Sequence, residues 1–364
     1  MIGAVCLLNL YIGGLFLSTA PLVDLPQFYL AAKLMRSGQS TKIYDQSAYQ
    51  PLITELKQAD DLAAKGSVYF NRPAFELLLF LPLSFLPYNL AAAINLAING
   101  ALLGILIWKL PQWFSTSIHC RVWLLVFMPF LYSIALGQDT LLLALILATS
   151  LHLIFEKRDE SAGAILALAV FKPHLIFMLP IAFAAAKRWK LLRSFLIAGS
   201  ALALLSLALV GPQGMRDWIA ILRSPYTDYA PATMGNFRAI GIHFGVPIAI
   251  TVALTVSASF AIILKRGSFQ DQLAAAIIIA LLLSPHTYAQ DYSVFAVAAL
   301  ISFPSAALYA ALLPWPYFYP WTGGEMIPFA LLASSSLIYL AARPARDAPG
   351  TAPITRRSRN WRAQ

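Results

Sequence analysis

Apolar runs recur along almost the whole chain, parted only by short charged clusters, and this alternation leaves very few folds open. Only 12% of the 364 residues are charged, 59% are hydrophobic, and the mean hydropathy is +0.71. Soluble domains carry roughly a quarter charged residues, so the sequence predicts a membrane protein. The runs are continuous and rich in Leu and Ala, whereas barrel strands alternate in polarity, so the spans are expected to be helices. No stretch is both long and polar enough for a separate soluble domain. The expected fold is all-α and polytopic: one integral domain over residues 1–342 and a basic cytoplasmic tail over 343–364. Residues 23–86 of that domain are expected to form a large first external loop with interfacial helices and a re-entrant segment.

The net charge of +10 does not point to nucleic acid, because the basic residues are dispersed between apolar runs. Cys6 and Cys120 imply neither a disulfide framework nor a thiolate metal site. The run from Ile2 to Ala20 lacks a basic start and is expected to be a retained first helix. Leu30, Leu34 and Met35 in one segment, and Leu52, Leu56 and Leu62 in another, are spaced for short amphipathic helices along the interface. The short, Phe- and Pro-rich stretch from Pro73 to Leu86 is expected to be re-entrant. Further spans are expected over 88–110, 121–136, 140–155, 191–210, 246–264 and 272–283, with shorter segments over 162–171 and 175–186. Lys172-Pro173-His174 and Ser284-Pro285-His286 should break helices within the membrane, because proline removes a backbone donor and biases its predecessor away from helix. Irregular backbone at that depth needs a protein or aqueous surround, so the two breaks predict one buried polar site.

Lys109 and Arg121, Lys157 and Arg158, Lys187 to Arg193, Lys265 and Arg266, and the tail from Arg343 all satisfy the positive-inside rule if placed on the cytoplasmic side. The opposite side then receives residues 23–72, Gly137-Gln138, the two proline breaks and residues 211–245. A cytoplasmic tail also requires the stretch after Tyr292 to divide near Pro304 into two short segments, with Trp315, Tyr317 and Trp321 in an external aromatic belt. About ten to twelve full or half crossings result.

Several polar residues on that outer side carry two readings each. Asp24 is either the N-cap of a helix opening at Pro26 or a general base of tuned pKa. Lys172 either snorkels to the interface or pairs with an anion such as a lipid phosphate. His286 is either structural or a phosphate hydrogen-bond donor, and His174 accompanies it. Gln138 satisfies a helix end or faces the site, while Asp139 caps the next helix. Arg72, behind Tyr69 and Asn71, either flanks a membrane segment or grips an anion through its guanidinium fork. Asn236 and Arg238 lie among aromatics that suit a sugar or an interfacial belt. No Walker loop, Rossmann glycine pattern, His-Glu-x-x-His or Gly-x-Ser-x-Gly elbow is present.

Taken in order, these segments resemble glycosyltransferase family 87, the polyprenyl-phosphate-mannose-dependent mannosyltransferases of the GT-C membrane class. The carriers are Asp24-Leu-Pro-Gln-Phe-Tyr-Leu-Ala-Ala, Asn71-Arg-Pro-Ala-Phe running into Leu81-Pro-Leu-Ser-Phe-Leu-Pro-Tyr88, Leu136-Gly-Gln138, Phe171-Lys-Pro-His174, and Leu283-Ser-Pro-His-Thr-Tyr288 with Asp291. The resemblance implies a transferase that moves a sugar, mannose by expectation, from a polyprenyl phosphate to a glycolipid or glycan hydroxyl with inversion. It implies work at the extracytoplasmic face of the plasma membrane, without metal or other cofactor. Asp24 becomes the candidate catalytic carboxylate, and Lys172, Arg72 and His286 the candidate donor-phosphate ligands. Tyr69, Asn71, Gln138, His174, Tyr288, Asp291, Asn236 and Arg238 become candidate substrate contacts. Competing readings are a lipid or polyol transporter built on broken helices, and a related arabinosyltransferase or polymer ligase.

Overall fold

A computed structural model describes residues 22–59, 69–114, 116, 119–223, 231–302 and 327–343. The first apolar run, Cys6, Leu62, the division near Pro304, the aromatic belt and the tail beyond Arg343 lie outside these residues. Every regular element among the described residues is helical, and the all-α expectation holds.

In chain order the helices are α1 (Leu25–Arg36), α2 (Gln50–Ala59), α3 (Tyr88–Trp113), α4 (His119–Leu125), α5 (Met128–Leu136), α6 (Thr140–Phe155) and α7 (Asp159–Ala167). They continue with α8 (Leu179–Ala185), α9 (Trp189–Leu222), α10 (Phe237–Phe244), α11 (Val246–Arg266), α12 (Phe269–Leu283), α13 (Ser293–Ser302) and α14 (Ile327–Ala342). Three of them, α3, α9 and α11, are long and apolar enough to cross a membrane. Their outward faces carry Ile98, Ile197, Leu204, Val246 and Leu254 exposed to between 48% and 67%, a belt that only lipid covers favourably. The central helices are shorter and apolar all round. Every residue of α13 and nearly all of α12 are buried, as expected of helices enclosed by protein.

The side chains pack into two hydrophobic cores. The larger gathers α3 to α8 with α11 to α14. The smaller joins α1, α2 and residues 69–91 to the far end of α9 through Val210 and Ile221. Here the sequence expectation needs correction, because α1 is no interfacial helix: ten of its twelve residues are buried, and it lies beneath the helical turns of residues 74–85. The aromatic content explains this, with Phe28 stacked on Phe80 at 4.4 Å and edge-on to Phe70 at 6.1 Å.

Both proline breaks are present. α7 ends at Ala167 and gives way to 3-10 turns over Leu168–Phe171 and Pro173–Leu175, while α12 stops at Leu283 before Ser284-Pro285. Two span expectations are revised. Residues 121–136 are divided into α4 and α5, with Phe127 extended ahead of Pro129. The span expected to end at Val210 instead continues to Leu222 through a kink at Gly211, whose φ of 70° and ψ of 177° leave the helical region just before Pro212. The kink lets Trp218 donate its indole N–H to the Asn71 carbonyl at 2.9 Å.

The helices also sort the charges. α6 leads away from Asp139 to Glu156 over sixteen residues, about 24 Å at 1.5 Å per residue. α7 returns to Lys172, α8 leads away to Lys187, and α9 returns until Ser206 accepts from the Phe75 amide at 3.2 Å. Trp113 at the end of α3 stacks on His152 at 5.0 Å, and Arg188 covers the Phe269 ring at 4.9 Å. Arg343 donates to the Ser302 carbonyl at 2.9 Å, while Phe329 meets Tyr292 at 4.9 Å, so α13 and α14 run parallel. Lys109, Lys157, Arg158, Arg188, Arg266 and Arg343 thus belong to one end of the bundle, and the two proline breaks to the other.

Candidate active site

At the end holding both breaks, where the two cores meet, six charged side chains and one amide form a continuous network. Its hub is Gln138. The preceding Gly137 closes α5 in the left-handed conformation, φ 72°, and its N–H and that of Gln138 bond back to Ile134 and Ser133 at 3.1 and 2.9 Å. A Cβ on Gly137 would stand 3.0 Å from the Leu25 Cβ, so glycine is needed for both the turn and the close approach of the chain. That neighbouring strand of chain is held by Leu22 N–H to the Ala135 carbonyl at 2.6 Å and Asp24 N–H to the Leu136 carbonyl at 3.0 Å.

Gln138 then faces both signs of charge. Its Nε2 donates to Asp24 Oδ2 at 2.8 Å, while its Oε1 accepts from Arg72 Nη2 at 2.7 Å and Lys172 Nζ at 3.3 Å. Arg72 Nη1 also reaches Asp139 Oδ2 at 2.6 Å and Glu76 Oε1 at 3.4 Å. Lys172 Nζ also donates to Asp291 Oδ1 at 3.0 Å and lies at ion-pair distance, 3.3 Å, from Asp139 Oδ1, an oxygen that accepts no hydrogen bond among the described residues. Asp291 is fixed in turn by the Tyr288 N–H at 3.0 Å on its other oxygen.

The network settles several open readings of side-chain placement. Asp24 stands at the helix start but makes no side-chain cap; its carboxylate turns to Gln138 instead. Asp139 likewise makes no side-chain cap for α6, because Arg72 and Lys172 claim its oxygens. Lys172 is 2% exposed and does not snorkel. Sequence reasoning passed over Glu76 altogether and gave Asp139 only a capping part. Both signals were there to read: Glu76 sits four residues after Arg72, and an acid inside an apolar membrane segment marks a functional site by default.

Four carboxyl groups face Arg72 and Lys172, and they are not equivalent. Glu76, Asp139 and Asp291 are buried and each pairs with Arg72 or Lys172. Asp24 alone of the four is partly exposed and makes no ion pair among the described residues. Burial pushes its carboxyl above the ordinary range, against the Gln138 hydrogen bond and the nearby charges of Arg72 and Lys172. A carboxylate that is reachable, oriented by an amide and poised above its usual pKa has the properties of a general base. No three Asp, Glu, His or Cys side chains among the described residues converge as metal ligands.

The other predicted residues divide. His174 is half-buried within electrostatic range of Asp291, Lys172, Arg72 and His286, which places both break histidines beside the network. Tyr288 is half-buried and supplies the backbone N–H that holds Asp291. Asn71 contributes its carbonyl to Trp218. Tyr69 packs edge-on to Tyr49 at 5.8 Å and accepts from Gln50 at 3.5 Å, among the residues of the smaller core. Asn236 is 1% exposed and spends its amide on structure, accepting the Ala239 N–H at 3.1 Å and donating to the Ser284 carbonyl at 3.0 Å. It thereby straps α10 onto the second break. Arg238 is exposed at the start of α10.

The model of glycosyltransferase family 87 matches residues 70–285, more than half of the chain. The chain belongs to glycosyltransferase family 87. No curated protein and no solved structure gives a match. The family 87 region contains Arg72, Glu76, Gln138, Asp139 and Lys172, while Asp24 and Asp291 flank it on either side. The protein is thus a membrane glycosyltransferase, and a glycosyltransferase requires a sugar donor and an acceptor.

Proposed function

We propose that this family 87 transferase moves a sugar, mannose in the first instance, from a polyprenyl-phosphate donor to an acceptor hydroxyl at the extracytoplasmic membrane face. Asp24 is the catalytic base. The observation that carries this reading is the inequality of the four carboxylates, with Asp24 the accessible one and the rest committed to Arg72 and Lys172. The gathering of the short basic loops at the opposite end of the bundle supports the orientation.

In the proposed step the acceptor oxygen attacks the anomeric carbon from the face opposite the phosphate, and its proton passes to the Asp24 carboxylate. The bond between the anomeric carbon and the phosphate oxygen breaks, and the electron pair leaves with the polyprenyl phosphate. One displacement inverts the anomeric centre. Gln138 holds Asp24 in place, and the positive charge of Arg72 and Lys172 stabilises the departing phosphate. Because Lys172 already has three oxygen partners, the phosphate must share it with Asp139 and Asp291, and a short-lived rather than tight hold on the lipid product follows. His286 and His174 are assigned to the same group as further hydrogen-bond donors.

The test is incubation of purified protein with labelled polyprenyl-phosphate-mannose and a panel of glycolipid and glycan acceptors, with a polyprenyl-phosphate pentose as a second donor. Transfer of mannose by the wild type is expected. Asp24→Asn should lose about 10²–10⁴-fold in turnover, the range of general-base catalysis, and keep donor binding. Transfer of the pentose alone would replace mannose in the proposal, and absence of transfer from every lipid phosphate with donor binding intact would overturn it.

A further inference from the structure

The end of the bundle away from the ionic network carries a second charged feature that sugar transfer does not use. A cavity of about 610 Å³ lies there between the α6–α7 and α8–α9 turns, lined by Lys157, Arg158, Asp159, Glu160, Arg188 and Lys190, with Ser161 beside them. The two turns are built alike. At the end of α6, Lys157 takes a φ of 62°, its N–H bonds to the Ile154 carbonyl at 3.0 Å, and the Arg158 N–H reaches the Leu153 carbonyl at 2.9 Å. At the end of α8, Lys187 takes a φ of 56°, its N–H bonds to Ala184 at 3.0 Å, and the Arg188 N–H reaches Phe183 at 2.8 Å. Each turn therefore sets a lysine in the left-handed position that glycine fills without strain, and follows it with an arginine. Backbone geometry gives no reason for lysine at either place; charge does.

The acids in the cavity do not neutralise it. Asp159 is committed to Arg188, which donates to it through Nε at 2.8 Å and through a second, shorter contact. Glu160 has only a 3.8 Å approach from Arg193. Lys157, Arg158 and Lys190 are exposed and lack an acidic partner among the described residues, which leaves three cations around one recess. The recess is rigidly walled: the Ser194 hydroxyl donates to the Glu160 carbonyl at 2.6 Å, and Gly163 lets α7 press so close to α9 that a Cβ there would meet the Leu191 carbonyl at 2.5 Å.

The membrane level is marked by Trp189, 60% exposed between Arg188 and Lys190, from which Leu196, Ile197 and Leu204 continue an exposed apolar stripe along α9. Exposed tryptophan at the start of such a stripe belongs at headgroup depth, where the abundant anion is a lipid phosphate. From these observations we propose that the recess between the two lysine turns binds the phosphate of an anionic phospholipid headgroup. The site is independent of the proposed transfer chemistry, about a helix length away.

Thermal unfolding of the full chain in nanodiscs tests it, with phosphatidylcholine alone or mixed with phosphatidylglycerol, and with inorganic phosphate added to the phosphatidylcholine discs as a separate arm. Phosphatidylglycerol should raise the wild-type midpoint. The triple variant Lys157→Ser, Arg158→Ser, Lys190→Ser should lose most of that rise, whereas Lys265→Ser with Arg266→Ser at another basic turn should keep it. Equal loss in both variants would mean a general basic surface, and an equal rise with inorganic phosphate would mean a soluble anion; either overturns the proposal. Lys157→Gly guards against misfolding of the triple variant, since it relieves the left-handed turn. It should unfold no earlier than wild type in phosphatidylcholine and still show a smaller phosphatidylglycerol response. An undiminished response there would also overturn it.

Discussion

The two ends of this bundle hold their charges in opposite ways. At one end six charged groups are drawn from residues 24 to 291, sunk at the meeting of two cores, and joined through Gln138. At the other, cations crowd short turns, face outward, and share only exposed or half-exposed partners such as Arg188 with Asp159 and Arg193 with Glu160. Buried charge is costly unless every partner is present, so the first end should respond to single substitutions as a unit. Exposed charge is cheap and screened, so the second should respond residue by residue. The contrast separates a place where buried geometry must be exact enough for chemistry from one where exposed cations gather around an open recess.

The strongest test of this contrast is Lys172→Met. It strands Asp139 and Asp291 without their shared ammonium, and losing one partner of a buried pair costs about 3–5 kcal/mol. Thermal unfolding in detergent should show a large fall in midpoint together with loss of transfer, while Lys190→Ala stays within about 0.5 kcal/mol of wild type as an exposed substitution does. Similar stability for the two variants would abolish the distinction between the ends.

Asp24→Asn sharpens the comparison inside the network, because it should separate activity from stability. The Asp24 carboxyl is raised in the folded protein, so its contribution to stability is present below the ordinary carboxylate pKa and is lost as pH rises through the folded value. At neutral pH the charge therefore weakens the fold, and Asn should unfold no earlier than wild type while turnover collapses. The same shift places the acid limb of the wild-type pH profile above the ordinary carboxylate range, since a protonated base cannot take the acceptor's proton. A variant that lost stability and activity together would make Asp24 a structural member like Asp139.

Gly137→Ala should have an intermediate effect. The left-handed backbone costs a non-glycine residue about 1–2 kcal/mol, and the new methyl would press on Leu25 beside the Asp24 backbone. Lower turnover with little change in apparent donor affinity is expected, because the base is displaced while Arg72 and Lys172 stay in place. Steady-state kinetics against donor concentration measure that split, and unchanged turnover would free Asp24 from its dependence on the α5 turn.

Much of this was legible from local rules. The breaks at Lys172-Pro173 and Ser284-Pro285 follow from proline's missing donor, although α3 carries Pro111 within it, and α6 follows the apolar run from Thr140 to Phe155. Asp24, Arg72, Gln138 and Lys172 stood out because polar groups flanking membrane segments demand partners, and Asp291 through the family resemblance. Which partner each would take was for the most part not legible, since all the pairings but Arg72 with Glu76 join residues between 33 and 119 positions apart. Asp139 therefore passed as a cap, whereas Glu76, only four residues from Arg72, was a local signal left unread. α1 was misjudged for the same reason: its spacing suited an interface, and only the fold brings Phe70 and Phe80 over its outer face.

The smallest expected effect lies at the opposite end, at the pair of Arg188 and Asp159. Arg188 is 29% and Asp159 17% exposed, so solvent screens the bond, and pairs of this kind contribute only about 0.2–1 kcal/mol. Arg188→Ala should lower the unfolding midpoint slightly at low salt and hardly at all at high salt, with transfer unaffected. Lys172→Met should remain severe in both, because counter-ions do not enter a site whose ammonium is 2% exposed. Salt titration of the two variants side by side thus reads the burial of each network directly, and a salt-insensitive Arg188 effect would show that the turn holds its charges as tightly as the site around Gln138 does.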